Sequence, residues 1–340
     1  HNLLTVTADV PREGHNRWYT GGGIYRPVNL FVADKRHIDL YGLKITTLSI
    51  HPARIRVDVH HTGGEKIHVA IYDGRQLIAE VSGQAPFEIN VPDAKLWSAE
   101  MPHLYQARAE LIDQGSVVDT AEETFGIRTV TVQPEKGLLV NDVPTFLRGG
   151  CIHNDNGVIG VINNDVTELR RARNIKRAGF NAIRSAHHPM SRSLMKACDE
   201  VGLYVMDEAF DSWYRPKVMN PYVKRFMDSY LSDTRLMVQD AYSHPSVIMY
   251  SIGNEIPEAG GVKGVRIGKS IISAIREMDD TRLITFCPSV HWLREYVDGT
   301  PYLTVDEDEW MAQSEENRQA DWKHYLGVFM GAAANIPDSE

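Results

Sequence analysis

Apolar and polar residues change rhythm along this chain and divide it into three stretches. In residues 1–37 the period is two. Leu4 and Val6 alternate with Thr5 and Thr7, and Val28, Leu30 and Val32 resume the pattern after the turn signal Gly21-Gly22-Gly23. Two or three strands are expected there, too few to bury a face on their own. Residues 38–128 repeat the signal more strongly. Strands are predicted near 43–50, 53–61, 66–73, 76–82, 87–91, 103–112 and 117–126, with strict alternation in Arg54-Ile55-Arg56-Val57-Asp58-Val59. Turn pairs such as Gly63-Gly64, Asp73-Gly74, Ser82-Gly83 and Gln114-Gly115 separate them. Short strands punctuated in this way predict an immunoglobulin-like β-sandwich.

In residues 129–340 short apolar runs alternate with helical patterns. The predicted strands are Thr145–Cys151, Phe180–Ser185, Leu203–Asp207, Val247–Ile252 and Leu283–Cys287. The first helix should open on Asp165 as N-cap with Glu168 three residues on, carry the stripe Leu169, Ala172, Ile175 and Ala178, and stop at Gly179. Further helices are expected from Ser191 to Gly202, over about 222–243, and over about 262–278. Repeated β-α units with near-continuous apolar strands predict a parallel sheet. No GxGxxG or GxxxxGK[ST] opens a helix, which removes the usual support for an open nucleotide-binding sheet. The alternative is a (β/α)8 barrel. Such barrels take about 250 residues, more than this stretch supplies, so an incomplete barrel is expected.

Composition adds mostly exclusions. The 340 residues are 43% hydrophobic and 24% charged, with a formal net charge of −9. That balance offers no basic footprint for nucleic acid. No apolar run approaches the ~20 residues of a membrane span. No signal peptide is visible, and the compartment stays open between cytoplasm and periplasm. Cys151, Cys198 and Cys287 are sparse and odd in number, which argues for free core thiols rather than disulfides or a zinc site.

The candidate chemistry gathers at the ends of the predicted parallel strands, where barrel active sites lie. The first run ends in Cys151-Ile152-His153-Asn154, the second in Arg184-Ser185-Ala186-His187-His188-Pro189, and the third in Asp207-Glu208-Ala209-Phe210-Asp211-Ser212-Trp213. The fourth ends in Asn254-Glu255, with Pro257 forbidding extension, and the fifth leads to Ser289, His291 and Trp292. Carboxylates, histidines, an arginine and indoles suit a sugar pocket, because hydroxyls take charged hydrogen-bond partners and sugar ring faces stack on aromatics. A carboxylate that closes a buried strand, as Glu255 does, must be satisfied structurally or act as an acid.

Seven motifs carry a resemblance: GGGIYRPVNL, LWSAEMPHLY, FGIRTV, KGLLVNDVPTFLRGGCIH, FNAIRSAHHP, CDEVGLYVMDEAFD and HPSVIMYSIGNE. Spread over about residues 18 to 260, they resemble glycoside hydrolase family 2, the β-galactosidases, β-glucuronidases and β-mannosidases. The resemblance implies a jelly-roll domain, of which residues 1–37 would be the last strands, then the sandwich, then the barrel. It implies retaining cleavage of β-glycosides, most simply terminal β-galactosides, with β-glucuronides as the alternative and a non-enzymatic carbohydrate-binding module as a third reading.

By the same resemblance Glu255 is the general acid/base and Asn254 the ligand of the sugar 2-hydroxyl. Arg184 holds carboxylates in place, and His187 and His153 face the sugar. Asp211 and Trp213 are expected in the pocket wall, while Asp207 and Glu208 are expected to be structural, paired with Arg184. Three departures stand out. Tyr250 replaces a family tryptophan, and His188 replaces a family tyrosine. Phe210-Asp211-Ser212-Trp213-Tyr214 lacks the Glu-x-His pair that binds magnesium in some relatives, so neither metal nor cofactor is expected.

A retaining enzyme needs a second carboxylate, which the family places roughly 75 to 100 residues after the acid. That window starts near residue 330 and runs past Glu340, and the cluster Asp306–Glu309 lacks matching context. No nucleophile is assigned, and the chain by itself is expected to be inactive. Carbohydrate is the expected partner. Self-association is also expected, because an open barrel exposes strand edges.

Overall fold

The computed structural model describes residues 3–8, 23–214, 222–260 and 262–287, and the statements below refer to these. Ser289, His291, Trp292, Asp306–Glu309 and Glu340 lie outside the described residues. Seven antiparallel strands form a sandwich. One sheet runs in the order β1 (His37–Ile50), β2 (Ala53–Thr62), β5 (Phe87–Asn90). The other runs in the order β4 (Gln76–Gly83), β3 (Lys66–Asp73), β6 (Tyr105–Asp113), β7 (Ser116–Phe125). The period-two pattern is realised directly. Ile55, Val57, Ile67, Val69, Ile71, Ala107, Ala109 and Leu111 are buried between the sheets, while the residues alternating with them in β2 and β6, such as Arg54, Arg56, Gln106 and Arg108, face water.

β1 starts earlier than its alternation suggests. Its register against β2 slips between Ile38 and Leu43, where Tyr41 takes a positive φ of 60°, so a bulge interrupts the period. Among the described residues ahead of β1, the strands expected within residues 1–37 are not seen. Residues 3–8 and 23–34 take no regular structure, and Leu4, Leu30 and Val32 are more than four-fifths exposed, with no partner strand against them.

A small antiparallel sheet follows, β8 (Val130–Gln133), β9 (Gly137–Val140) and β10 (Val143–Pro144), which the sequence pattern did not announce. Then β11 (Gly149–Ile152), β12 (Ala182–Ser185), β13 (Tyr204–Glu208), β14 (Val247–Asn254) and β15 (Leu283–Cys287) lie side by side in sequence order, all parallel. The helices α1 (Asp165–Arg177), α2 (Arg192–Val201), α3 (Val223–Ala241) and α4 (Val262–Arg276) connect the later strands. Sequential parallel strands with intervening helices are one arc of a (β/α)8 barrel. One face of the arc packs Ile183, Val205, Tyr250 and Ile252 against Leu194, Cys198, Val238 and Ile271 of the helices.

Helix ends follow local chemistry. The Ser191 side chain caps α2 by accepting from the Leu194 amide. Gly202 ends that helix at φ 81°, and a Cβ there would sit 2.2 Å from the Ala99 carbonyl, so both backbone sign and space demand glycine. The α1 cap differs from the expectation. Asn164, not Asp165, accepts from the Thr167 amide at 3.1 Å. Glu168 does not reach back to close a capping box. It is fully buried and accepts from the Asn156 and Asn163 side-chain amides, a satisfaction that outcompetes the exposed cap.

The two units share a third apolar cluster. Trp97 of the sandwich meets Tyr204 edge-on at 5.8 Å, and its indole N–H donates to the Asp199 carbonyl. Arg128, at the end of the sandwich, donates to the carbonyls of Pro245 and Val247 at 2.6 Å each. These bonds fix the sandwich against the strand β14 that leads to Asn254.

Candidate active site

Alternation along the parallel strands decides which side chains enter the barrel. Arg184 pairs in register with Met206, Glu208 lies two residues on, and Glu208 pairs with Ser251, so all three polar groups share one face. There they meet. Arg184 donates to Glu208 Oε2 at 2.7 Å and to Asn254 Oδ1 at 2.8 Å. His187 Nδ1 lies 2.6 Å from Glu208 Oε1, and Ser251 Oγ donates to Glu208 Oε2 at 2.6 Å. Asn254 Nδ2 in turn donates to Asp211 Oδ1 at 3.1 Å. Six residues, from three successive strand ends, form one network, with the fully buried Glu208 at its hub.

Electrostatics agree with the geometry. Burial pushes the Glu208 carboxyl up, but hydrogen bonds from His187 and Ser251 and the charge of Arg184 outweigh it, and the net shift is downward. Burial works against the Arg184 cation, and the Glu208 charge overcomes it, so Arg184 is held more firmly protonated than usual. Asp207, one residue before Glu208, points to the opposite face. Its carboxylate accepts from Ser185 Oγ and the Met190 amide, and burial raises its pKa to about 6. Of the two acidic residues expected to pair with Arg184, only Glu208 does.

His153 follows β11, and its ring meets that of His187 edge-on at 5.6 Å. Burial lowers its pKa, which favours neutral imidazole. Burial also pulls His188 down to about 4, with Nδ1 bonded to the Pro189 carbonyl. Glu255 stands just past β14. Its amide donates to the Cys287 carbonyl at 2.7 Å, and its φ of 46° turns the chain sharply after Asn254. A non-glycine residue in that region costs on the order of 1–3 kcal/mol and concentrates at functional sites.

Trp213 is not in the pocket wall. It is 1% exposed, donates its indole N–H to the Ile252 carbonyl, and stacks on Phe226 in the core between strands and helices. The spacing from Glu208 to Trp213 gave no hint of this, because the chain leaves strand periodicity after β13. Cys151 is exposed, with Sγ 3.4 Å from Arg184, so it is not the core thiol expected; Cys198 is. Glu208 is the hub of this network and Ser251 joins it, a placement that strand-end chemistry alone does not give. Their parity with Arg184 emerges only from the register between adjacent strands. Among the described residues no cluster of three His, Cys, Asp or Glu is placed to hold a metal ion, and no helix is long and apolar enough to cross a membrane.

The family profile described as "Glycosyl hydrolases family 2, TIM barrel domain" matches residues 130–327, and that described as "Glycosyl hydrolases family 2" matches residues 40–128. The chain belongs to glycosyl hydrolase family 2. Among curated relatives, the beta-galactosidase BoGH2A of Bacteroides ovatus is 30% identical over 276 residues, covering 76% of this chain and 32% of that protein. Among solved structures, a glycosyl hydrolase family 2 member from Bacteroides cellulosilyticus superposes with a TM-score of 0.76 at 33% identity, covering 80% of this chain and 38% of that one. A β-glucuronidase from Ruminococcus gnavus, solved with D-glucaro-d-lactam, does so with a TM-score of 0.66 at 26% identity, covering 74% and 43%. The chain thus spans about a third or less of the length of the curated relatives it matches. The sandwich and the parallel strand arc are the family 2 sandwich and barrel domains in that order.

Proposed function

We propose that the protein acts as a retaining β-glycosidase on terminal β-D-galactosides. Glu255 protonates the glycosidic oxygen as the bond from the anomeric carbon to that oxygen breaks, and a second carboxylate bonds to the anomeric carbon. Glu255 then takes a proton from water, whose oxygen displaces the carboxylate. Asn254 binds the sugar 2-hydroxyl, and His153 and His187 bind neighbouring hydroxyls. The observation that carries the reading is the Asn254 side chain, held between Arg184 and Asp211 immediately before Glu255.

Glu208 does not serve as the nucleophile in this reading. It is fully buried, with Oε2 accepting from Arg184 and Ser251 and Oε1 bonded to His187, so it is committed to holding these groups in place. It is a positioning residue. The nucleophile is assigned outside the described residues.

Galactosides are favoured over glucuronides because Arg184, the cation in this network, is already committed to Glu208 and Asn254 rather than to a sugar carboxylate. The likeness to the Ruminococcus gnavus β-glucuronidase supports the second reading. The test is hydrolysis of nitrophenyl β-galactoside, β-glucuronide and β-mannoside by the whole protein. Glu255→Gln should lower turnover of the preferred substrate by about 10²-fold or more. Release of an inverted sugar, or full activity in Glu255→Gln, would refute the mechanism.

A further inference from the structure

At the opposite end of the parallel strands from Asn254, where the two domains meet, lies a hollow of about 360 Å³. β1 and β7 of the sandwich, the connector around Arg128, and the turns after α3 and α4 build its walls. Pro245 and Arg282 fix its place, each just ahead of a parallel strand, β14 and β15. None of its lining residues belongs to the catalytic network. Arg128 carries its chemistry. This side chain is buried, with the residue 6% exposed, and its Nε and Nη2 donate to the carbonyls of Pro245 and Val247. Among the described residues no acceptor meets Nη1, and no carboxylate forms an ion pair with Arg128. Arg282 stands nearby but is already matched, donating to Asp279 at 2.6 Å. Two guanidiniums thus share one buried carboxylate. Burial and the Arg282 charge both work against the Arg128 cation and pull its pKa down to about 9. A buried cation without a countercharge is costly, and a bound anion would relieve that cost.

We infer that this hollow binds a small oxyanion, a carboxylate or a phosphate, which pairs with Arg128 and ties the sandwich to the barrel domain. Guanidinium is the side-chain group best suited to such anions, because it is weakly hydrated and offers planar N–H donors. Hydroxyls supply further donors. Thr47 Oγ1 accepts from the Arg128 amide at 3.3 Å, which leaves its own O–H to donate, and Thr129 and Ser243 line the same hollow. The volume falls within the ~300–1,000 Å³ range of small-molecule sites. Asp280 is the one carboxylate in the lining. It is exposed, where water and salt screen it, and it favours a compact anion over a chain of charges. The inference stands independently of the glycosidase reading.

The test follows thermal unfolding of the whole protein at neutral pH and constant ionic strength, with chloride replaced stepwise by inorganic phosphate or by acetate. At concentrations up to about 20 mM the general effect of excluded salts is small, so a saturable rise in Tm reports a site. The expected rise is about 2–5 °C. A response to phosphate alone identifies a phosphoryl ligand, and a response to acetate alone a carboxylate; either supports the site. Arg128→Gln removes the cation and should abolish the rise. Thr131→Glu is the second variant, at an exposed position of β8 that lines the hollow, so it leaves the core intact. It supplies a carboxylate from the chain itself, which should compete with the added anion and abolish the rise in the same way. Thr131→Glu decides the matter if Arg128→Gln does not fold. No rise beyond that in chloride, a rise that does not saturate, or one that survives in either folded variant would overturn the inference.

Discussion

Arg184 fixes the orientation of Asn254. Its Nη2 donates to Asn254 Oδ1 at 2.8 Å, while Asn254 Nδ2 donates to Asp211 Oδ1 at 3.1 Å. A guanidinium can only donate and a carboxylate accepts, so the amide has one orientation that satisfies both. Arg184 reaches Glu208 with the same guanidinium. A lysine is a point charge without that fork and cannot hold both partners in one plane. Arg184→Lys is therefore expected to lower kcat/KM on the preferred β-glycoside by about 10–100-fold, through loss of Asn254 alignment. Steady-state kinetics on the folded variant checks this; an unchanged kcat/KM would separate Asn254 from the reaction.

Glu208→Gln should act mainly on stability. The substitution removes the charge that compensates Arg184 and turns an acceptor oxygen into an N–H2 facing donors. Breaking a buried ion pair in this way costs about 3–5 kcal/mol. Denaturant unfolding of the two proteins at neutral pH measures the difference. The pH dependence has a defined sign. Glu208 is held below its ordinary value, so its contribution is fully present above about pH 5 and is lost as the pH falls through the lower folded-state value. Glu208→Gln should flatten the stability curve in that acid range.

Arg282 and Asp279 form a second buried pair at the base of β15, remote from the network. Arg282 donates to Asp279 at 2.6 Å and to the carbonyls of Val247, Ala241, Tyr242 and His244. Burial pushes Asp279 up, but the Arg282 charge and the Thr281 hydrogen bonds bring it down to about 2. The stability it contributes is present above about pH 4 and is lost between there and about pH 2. Arg282→Met removes the countercharge of buried Asp279 and a donor to several buried carbonyls, and should destabilise by about 3 kcal/mol or more. Thermal unfolding followed by circular dichroism reads this directly, and kinetics on the folded fraction should be unaffected.

Periodicity made much of this architecture legible. The alternation Arg54 to Val59 predicted a strand and its buried face, and the apolar run Leu283–Cys287 matched a strand residue for residue. Ser191 and Gly202 announced both ends of one helix. The pattern failed where a second interaction outcompeted the local one. Glu168 looked like half of a capping box but is drawn inward by two asparagine amides, and Leu30 and Val32 alternate like a strand yet pair with nothing in the described residues. At the site, the strand ends identified which residues could meet. They could not reveal that Glu208 organises them, because that depends on cross-strand parity between β12, β13 and β14, which no single segment contains.

Trp213 offers the sharpest contrast between the two kinds of evidence. From the sequence it belongs to the pocket wall; in the structure it is sealed between Phe226, Phe286 and the Ile252 carbonyl. A stacking platform and a core residue respond differently to substitution. If Trp213 held the sugar, Trp213→Phe would raise KM with little change in folding stability. As a core residue with a satisfied indole N–H, it should show the reverse. Trp213→Ala should cost about 3–5 kcal/mol through cavity formation, and Trp213→Phe should cost less, leaving the Ile252 carbonyl without its donor and a smaller void beside Gly253. In both variants the KM of the folded protein should stay within about twofold, as expected when uniform binding is untouched. Unfolding curves paired with Michaelis kinetics on the same samples decide between the two, and a raised KM at unchanged stability would return Trp213 to the sugar pocket.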